Sequence, residues 1–389
     1  MPFINPIAQH VCPYCFSKIK LADCDIVSSI SGAVLEPVPT KTITKLLRLF
    51  TKLLRLIYVR SLTGSKYTKE LAARRCPKCQ ELLPNNIEYM ENFIIGMVGD
   101  TASGKSHYIA ALINALEQGE ALNGVKCIGF IPKGDTQVRY ENEYYGPLFV
   151  DKTVITATAL KGDEYKYRPL IFEMVFAATN NSDRKKYVNL VLFDAGGEDM
   201  KDPKGMAILT RYILKASGLI FLVDPMSIQG VVREPSALPQ PNVVRASSSF
   251  SLLYQVIDMC RMEKGIKPGD KIKTPIVIAV SKSDLLNNVT GSIGMQPSFT
   301  SEPSYRDGFH LQDYDTTNDE VQEVLRRFNE SAILKTSEAF ENVSFSAFSA
   351  TGMSPDQFNR FSSVKPCRCV DPLLWLLWKL NIIEAKASE

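Results

Sequence analysis

Residues 99–106 read G-D-T-A-S-G-K-S, and this spacing of glycines, lysine and serine is typical of a loop that binds phosphate groups. The loop follows an apolar run and precedes a segment with helical spacing, which is the context that such a loop requires. Lys105 would reach the β- and γ-phosphates of a nucleotide, and the Ser106 hydroxyl would bind Mg²⁺. Backbone N–H groups at the helix start would surround the remaining phosphate oxygens. We therefore expect a nucleotide site formed by Gly99, Asp100, Thr101, Ala102, Ser103, Gly104, Lys105 and Ser106.

Two further stretches resemble the switch regions of Ras-like GTPases. In "NLVLFDAGGED", Asp194 ends a predicted strand and Gly197 follows three residues later. The resemblance implies that Asp194 holds Mg²⁺ through a water molecule and that the Gly197 N–H contacts the γ-phosphate. The switch I threonine would come from "KTVITATAL", where spacing favours Thr158 over Thr153 and Thr156 as a further Mg²⁺ ligand. The alternative for all of these residues is an ordinary turn or loop.

The stretch "PIVIAVSKSD" resembles the base-reading N/T-K-x-D motif, with Ser281 in place of the usual Asn or Thr. Asp284 would accept hydrogen bonds from guanine N1–H and N2–H₂, which adenine does not offer in that arrangement. Lys282 would lie over the plane of the base. The alternative interpretation is a solvated turn.

A second stretch, "NVSFSAFSATG", resembles the last guanine-contacting motif. In this interpretation Ser349-Ala350 places a backbone N–H near guanine O6. Ser346-Ala347 is the competing register.

The order of these motifs resembles that of translation-factor-related (TRAFAC) P-loop GTPases over roughly residues 92–380. Within this class the chain resembles the bacterial double-GTPase proteins of prokaryotic conflict, or antiphage, systems. The stretches "YYGPLF", "TATAL", "RPLIFEMVF", "LFDAGGED" and "DPLLWLL" carry this narrower resemblance. It implies a GTPase, with GTP or GDP and Mg²⁺ as cofactors, in a defence-type multi-protein system.

One position departs from the Ras-like pattern. Glu198 follows Gly197, where those enzymes usually carry the glutamine that orients the attacking water. A carboxylate accepts a hydrogen bond from water but cannot donate one to the γ-phosphate. We therefore expect slow hydrolysis that a partner stimulates, with Lys105, Glu198 and Thr158 as catalytic residues.

Four cysteines form two C-P-x-C pairs, "CPYC" and "CPKC". Two such pairs supply four thiolates, the ligand set of a structural zinc ribbon. We expect Zn²⁺ bound by Cys12, Cys15, Cys76 and Cys79, with Cys24 as a possible substitute ligand. Redox pairs or metal-free structural cysteines are the alternatives.

Between the cysteine pairs, residues 41–60 read "KTITKLLRLFTKLLRLIYVR". Apolar residues at helical spacing alternate with lysines and arginines, which predicts an amphipathic basic helix. It would cover the protein core, contact an anionic membrane surface, or bind a partner or a second copy of the chain. Nucleic acid is not expected as a partner, because no interleaved aromatic residues accompany the basic charge.

The elements that must position these residues follow from apolar runs. "NFIIGMVGD", "RPLIFEMVFA", "YVNLVLFDAGG", "ASGLIFLVDP" and "TPIVIAVSKSD" predict strands, and "SHYIAALINALEQG" and "DPLLWLLWKLNII" predict helices. This alternation predicts an α/β fold with a mostly parallel sheet, in a GTPase-like three-layer sandwich. We expect residues 1–90 to form the zinc-ribbon-like module and residues 91–389 the P-loop GTPase domain. The polar residues 287–318 are expected to be irregular.

Composition limits the remaining possibilities. A net charge of +3 over 389 residues is near neutral, which does not indicate a general nucleic-acid binder. Nine cysteines without a recognisable export signal favour reduced thiols and a cytoplasmic location, with peripheral membrane association as the alternative. The sequence thus predicts a GTP-hydrolysing switch with protein effectors or activators. The alternatives are a P-loop ATPase and a zinc-ribbon adaptor in which nucleotide binding is only structural.

Overall fold

The structure of the protein is a computed structural model, and it describes most of the chain. The described residues are 9–28, 34–36, 72–84, 87, 91–100, 102–156, 168–177, 186–194, 203–233, 249–267, 269–292 and 294–386. The predicted helix 41–60 and four predicted site residues, Thr101, Thr158, Gly197 and Glu198, lie outside this range.

The chain divides into two compact units. One comprises Met1–Asn92 with Tyr187–Asn189, and the other comprises Phe93–Lys186 with Leu190–Glu389. The two cysteine pairs belong to the first unit, and the phosphate loop belongs to the second.

Short antiparallel strands form the described part of the first unit. Their bounds are β1 Gln9–Val11, β2 Lys18–Lys20, β3 Asp25–Ser28, β4 Val34–Glu36 and β5 Ala72–Arg75. Strand β1 pairs with β2, and β3 lies between β4 and β5. Their small core combines apolar side chains with cysteines: Cys12, Ile19, Leu21, Cys24, Cys76, Leu83 and Ile87.

Nine further strands follow in the part of the chain that the structure describes. They are β6 Glu91–Gly99, β7 Cys127–Pro132, β8 Leu170–Phe176, β9 Lys186–Leu192, β10 Gly218–Val223, β11 Ile276–Val280, β12 Phe309–His310, β13 Val343–Ala347 and β14 Ala385–Lys386. Seven of them form the main sheet in the order β13-β11-β10-β6-β9-β8-β7, and β12 pairs with β14. Strands β6, β10, β11 and β13 are parallel neighbours, whereas the edge strand β7 is antiparallel to β8.

The strands β10 and β11 are buried along their whole length, which explains why they read as continuous apolar runs. The chain leaves β6, builds one side of the sheet through β7, β8 and β9, and then crosses to β10 on the other side of β6. Ligand sites of open α/β sheets lie where the strand order reverses in this way, beyond the carboxyl ends of the strands. The loop after β6 lies at this position.

Helices connect these strands. Their bounds are α1 Lys105–Gln118, α2 Glu120–Gly124, α3 Thr136–Arg139, a π-helix Tyr140–Val150, α4 Pro203–Lys215, α5 Gln229–Val232, α6 Ser249–Lys264, α7 Leu286–Ser292, α8 Leu311–Arg327, α9 Ser331–Ser337 and α10 Asp371–Lys379. The predicted fold class is confirmed as an α/β fold with a mostly parallel central sheet. Residues 287–318 differ from the expectation, because they include most of α7, a 3₁₀ turn, β12 and the start of α8.

None of the helices in the described ranges is both long and apolar enough to cross a lipid bilayer.

Candidate nucleotide site and cysteine cluster

The phosphate loop joins β6 to α1. Gly104 has a φ of +86°, a backbone conformation that favours glycine, and it caps the start of α1. A Cβ on Gly99 would lie 2.6 Å from Ser103 Oγ and 2.9 Å from Leu222 Cβ, so the close packing of β6 against β10 and the loop at this position requires glycine. The buried Lys105 ammonium donates to the carbonyls of Gly99 and Asp100 at 2.6 and 2.8 Å. Its positive charge is therefore held at the loop, beside the N-terminus of a helix of 14 residues.

Ser106 lies in the first turn of α1 and contacts Asp194, which lies just after the end of β9. Its hydroxyl donates to Asp194 Oδ2 at 2.6 Å, although the two residues are 88 positions apart. Tyr144 of the π-helix adds a longer contact of 3.5 Å to the same oxygen. A hydroxyl beside a carboxylate supplies the oxygen ligands that Mg²⁺ prefers, so these residues could hold the ion at the end of the phosphate loop.

Two polar pairs lie beyond the carboxyl ends of β10, β11 and β13. Lys282 follows β11, and its ammonium lies 2.7 Å from the carboxylate of Asp224, which follows β10. Asp284 accepts a hydrogen bond of 2.6 Å from the hydroxyl of Ser349, which follows β13. The Ser349 oxygen in turn accepts from Gly352 N–H at 2.8 Å. These two contacts, from Asp224 to Lys282 and from Ser349 to Asp284, fix the directions of the Lys282 and Asp284 side chains.

The carboxyl group of Asp284 lies in a largely buried position. Burial raises its pKa, and the hydrogen bond from Ser349 and the charge of Lys282 act in the opposite direction. A carboxylate with little solvation binds N–H donors of a ligand more strongly than an exposed one does. The site is thus suited to a ligand that offers two adjacent N–H donors, as the Watson–Crick edge of guanine does.

His107 directly follows Ser106 on α1 and joins the same site. Burial, and then the positive charge of Lys282, lower its pKa to about 4, so the imidazole is neutral at neutral pH. Its Nε2 atom accepts the N–H of Ile155 at 3.2 Å.

The structure therefore brings Ser106 to Asp194 and Asp284 to Ser349. Ser346, in the competing register, lies within β13 instead. Thr153, an alternative to Thr158, donates its hydroxyl to the carbonyl of Pro147 at 3.2 Å.

Asp224, Tyr144 and His107 are members of the site that the sequence analysis did not select. Asp224 had a detectable signal, because it ends the apolar run "GLIFLVD" in the same way that Asp194 ends its own strand. Tyr144 and His107 carried no comparable signal, since each acts through a contact with a distant part of the chain.

The first unit contains the second candidate site. The sulfur atoms of Cys12, Cys15, Cys76 and Cys79 all lie within 4.8 Å of one another. Cys12 and Cys79 are 3.8 Å apart, and Cys15 and Cys76 are 3.9 Å apart. Sulfurs placed tetrahedrally about 2.3 Å from zinc are separated by about 3.8 Å, so the cluster fits this ion.

Both cysteine pairs use the same backbone turn. The carbonyl of Cys12 accepts the N–H of Phe16, and the carbonyl of Cys76 accepts the N–H of Gln80, each at 3.0 Å. Phe16 and Gln80 have positive φ angles of 57° and 64°. The Cys76 sulfur also accepts the N–H of Lys78 at 3.4 Å, which favours a thiolate there.

Cys24 and the C-x-C pair Cys367 and Cys369 are separate from the four-cysteine cluster. Among the described residues, Cys24 is not part of the four-cysteine cluster; its thiol donates to the carbonyl of Lys20 at 3.5 Å. Burial raises its pKa to about 12, which disfavours the thiolate that a metal needs. Cys367 and Cys369 flank the buried Arg368, and Cys369 donates to the carbonyl of Ser349 at 3.3 Å.

Comparison with known proteins finds a relative of this chain by sequence. No protein-family model matches the chain. SaeC of Mycolicibacterium smegmatis, provisionally named for ESX-1 scaffolding and assembly, is 28% identical over 325 residues. The alignment covers 78% of this chain and 79% of SaeC.

Two solved structures show weak similarity. The GTPase-like domain of S. cerevisiae Ski7 bound to GTP aligns with 75% of this chain, at 12% identity and a TM-score of 0.34. The chain spans about half of the Ski7 chain, 51%. The second structure is the signal recognition particle receptor SRb-GTP/SRX complex from Chaetomium thermophilum. The alignment covers 70% of this chain and 97% of the matched chain of that complex, at 14% identity and a TM-score of 0.31.

Proposed function

We propose that this protein is a Mg²⁺-dependent GTP-binding switch that hydrolyses GTP slowly. One observation carries the proposal: Asp284 and Ser349 form a hydrogen-bonded pair beyond β11 and β13, in the same mostly parallel sheet whose strand β6 leads into the phosphate loop. In this proposal the pair reads the base. Nucleotide phosphates would bind the loop and Lys105, and Mg²⁺ would be held by Ser106 and Asp194. The remaining residues expected to bind the nucleotide or the ion, Thr101, Thr158 and Gly197, belong to this proposal by sequence alone.

The choice of guanine rests on hydrogen-bonding chemistry. The Asp284 carboxylate offers only acceptors, and guanine presents N1–H and N2–H₂ to it. Adenine would place an acceptor opposite this carboxylate, which is unfavourable in a largely buried site. Lys282, held by Asp224, would cover the base.

Slow hydrolysis follows from Glu198. Its carboxylate can orient water but adds negative charge beside the γ-phosphate. A switch of this kind stays in the GTP state until a partner supplies stabilising charge. The partner is therefore a protein effector or activator.

The four-cysteine cluster binds one Zn²⁺ in this proposal. Cys12 lies 67 positions before Cys79, and Cys15 lies 61 positions before Cys76. A shared ion would therefore cross-link two distant segments of the first unit. Its role is structural, because four protein ligands leave no open coordination position for chemistry.

The biological setting is the assembly of a multi-protein system. The similarity to SaeC supports this setting, since SaeC is named for ESX-1 scaffolding and assembly. The antiphage role implied by the double-GTPase resemblance has no support in the comparisons. Residues 41–60 are a candidate surface for self-association or membrane contact in such an assembly.

The test is competition for a fluorescent GDP analogue by unlabelled GDP and ADP in the presence of Mg²⁺. We expect GDP to displace the probe at least about a hundredfold more effectively than ADP, the discrimination expected of a buried hydrogen-bonding site. Lys105→Ala should abolish probe binding. Equal competition by ADP would turn the proposal into a P-loop ATPase, and unchanged function of Lys105→Ala would favour an adaptor in which nucleotide binding is only structural.

A further inference from the structure

The π-helix Tyr140–Val150 packs against α1, and its start is held on two sides. Tyr140 donates its hydroxyl to the carbonyl of Ala110, in the middle of α1, at 3.1 Å. Arg139, directly before the π-helix, donates to the carbonyl of Arg168 at 2.9 Å, close to the start of β8. The first turn of the π-helix is therefore fixed both to α1 and to the segment that leads into β8.

Tyr144 lies about one turn further along the π-helix, and its hydroxyl reaches the proposed Mg²⁺ site. The hydroxyl lies 3.5 Å from Asp194 Oδ2, the same oxygen that accepts the Ser106 hydroxyl at 2.6 Å. Tyr144 is 2% exposed, so its side chain has little freedom to turn away. Backbone with π-helical geometry is rare and occurs frequently at functional sites.

The two hydroxyls beside Asp194 differ in what the ion would require of them. Ser106 is itself a proposed Mg²⁺ ligand, so its oxygen must face the ion once the ion binds. Tyr144 is not a proposed ligand, and its hydroxyl can stay directed at the carboxylate throughout. Mg²⁺ requires near-ideal octahedral geometry with ligands at about 2.0–2.1 Å, so a small displacement of the carboxylate weakens binding. A donor held on Asp194 Oδ2 by the π-helix limits that displacement.

We propose that Tyr144 is a positioning residue that holds the Asp194 carboxylate in the direction needed for Mg²⁺ and so strengthens the coupling between Mg²⁺ and nucleotide binding. This inference rests on the function proposed above. The restraint exists before the ion binds, so the carboxylate loses less conformational freedom on binding. The π-helix thereby becomes part of the metal site without supplying a ligand.

Two tyrosines of the same π-helix provide a variant and its matched control. Tyr144→Phe removes the hydroxyl beside Asp194 and keeps the ring, whereas Tyr140→Phe removes a hydroxyl that binds α1 instead. Thermal unfolding first establishes that both variants are folded. Combining each with Asp194→Ala in nucleotide-free protein then tests the contact directly. The changes in melting temperature should be non-additive for Tyr144→Phe and additive for Tyr140→Phe.

The functional measurement is the ratio of GDP affinity with Mg²⁺ to GDP affinity without it, followed with the fluorescent GDP analogue. We expect Tyr144→Phe to lower this ratio by about twofold to fivefold, the lower part of the range of one hydrogen bond, because the contact is long. The Mg²⁺ concentration that gives the half-maximal effect should rise in this variant. Tyr140→Phe should keep both wild-type values.

Three results would overturn the inference: an unchanged ratio in Tyr144→Phe, an equal decrease in Tyr140→Phe, or additive melting-temperature changes for Tyr144→Phe and Asp194→Ala. If Tyr144→Phe is not folded, hydrogen exchange of the π-helix amides is compared between Asp194→Ala and the wild-type protein. Faster exchange in Asp194→Ala is expected there, and unchanged exchange would contradict the inference.

Failure of the proposed function is distinguishable from failure of this inference. In the first case the wild-type protein does not prefer GDP over ADP, and the effect of Tyr144→Phe on the Mg²⁺ ratio is then measured with a fluorescent ADP analogue. If Mg²⁺ changes the affinity of the wild-type protein for neither nucleotide, Tyr144 has no metal site to support and the inference is wrong.

Discussion

Ser349 donates its hydroxyl to Asp284 across 2.6 Å, and this bond joins two motifs that are 65 positions apart in the sequence. The backbone of Ser349 is fixed as well, since it exchanges two hydrogen bonds with Cys367, of 3.0 and 2.7 Å. The Asp284 carboxylate is therefore oriented by a serine that is itself held in place. An acceptor fixed in this way loses little conformational freedom when it binds a base.

The first prediction separates the two serines of the final motif. Ser349→Ala should weaken GDP binding by about threefold to tenfold, because Asp284 loses a hydrogen bond that orients it. Ser346→Ala is the matched control, since the Ser346 hydroxyl is buried without a hydrogen-bond partner among the described residues. Its removal should leave GDP affinity unchanged. If only Ser346→Ala weakened GDP binding, Ser346-Ala347 rather than Ser349-Ala350 would be the motif that contacts guanine.

A second prediction concerns the specificity of Asp284. Asp284→Asn presents an amide N–H₂ where guanine also presents donors, so GDP affinity should fall by about a hundredfold or more. Xanthosine diphosphate has an acceptor at position 2 and should bind this variant better than GDP. Titration of both nucleotides against wild-type and variant protein measures the change. Unaltered GDP affinity in the variant would remove Asp284 from the base site.

Continuous apolar runs made much of the central sheet predictable. Strands β10 and β11 are buried on both faces, so their sequences carry no polar residue that could obscure them. Strand β7 was not predicted, because this edge strand exposes Ile128 and Ile131 and has no single buried pattern. Residues 287–318 are polar overall, yet Phe299 and Phe309 are buried and anchor short elements there.

In the candidate site, too, local sequence patterns predict individual residues but not the contacts between distant parts of the chain. The spacing rules selected Ser106, Asp194, Asp284 and Ser349 as candidates, since each ends or follows a recognisable element. They could not pair Lys282 with Asp224, because that contact depends on which strands become neighbours in the sheet. Likewise, no local pattern predicts that His107 binds the backbone of Ile155.

Asp224 leads to a third prediction. Its carboxylate holds the Lys282 ammonium at 2.7 Å, and the aspartate side chain is 8% exposed. Asp224→Asn should weaken GDP binding by about twofold to fivefold, since Lys282 is partly solvated and its pair contributes modestly. The control is Asp135→Asn, which breaks a pair of similar length, 2.8 Å, with Arg168. Equal effects of the two substitutions would show that Asp224 acts only through general stability.

The metal content provides a fourth prediction. Purified protein should contain about one Zn²⁺ per chain, measured by atomic emission, because four thiolates complete a tetrahedral site. Cys76→Ser should lose the ion, whereas Cys24→Ser should retain it, since Cys24 is not in the cluster. Chelation should lower the melting temperature of the wild-type protein but not that of Cys76→Ser. A well-folded wild-type preparation without metal would contradict the zinc assignment.

The last prediction concerns the C-x-C turn that pairs with Ser349. Arg368 in this turn is 1% exposed, and its guanidinium binds Asp371 at 2.9 Å and Asp313 at 2.8 and 3.1 Å. Arg368→Met should destabilise the protein by about 3–5 kcal/mol, because it leaves the buried Asp371 without its cationic partner. The exposed Arg326 is the control, and Arg326→Met should leave the melting temperature unchanged.

The pH dependence of this loss identifies its cause. Burial raises the pKa of Asp371, and Arg368 opposes that shift in the wild-type protein. Without Arg368 the folded protein should bind a proton at Asp371 more tightly than the unfolded chain does, so the variant loses stability as the pH rises. The destabilisation should therefore be smaller near pH 5 than near pH 8, and Arg368→Met/Asp371→Asn should remove this dependence. A pH-independent loss would mean that Arg368 stabilises the turn through its packing and its bond to the Ser301 carbonyl instead.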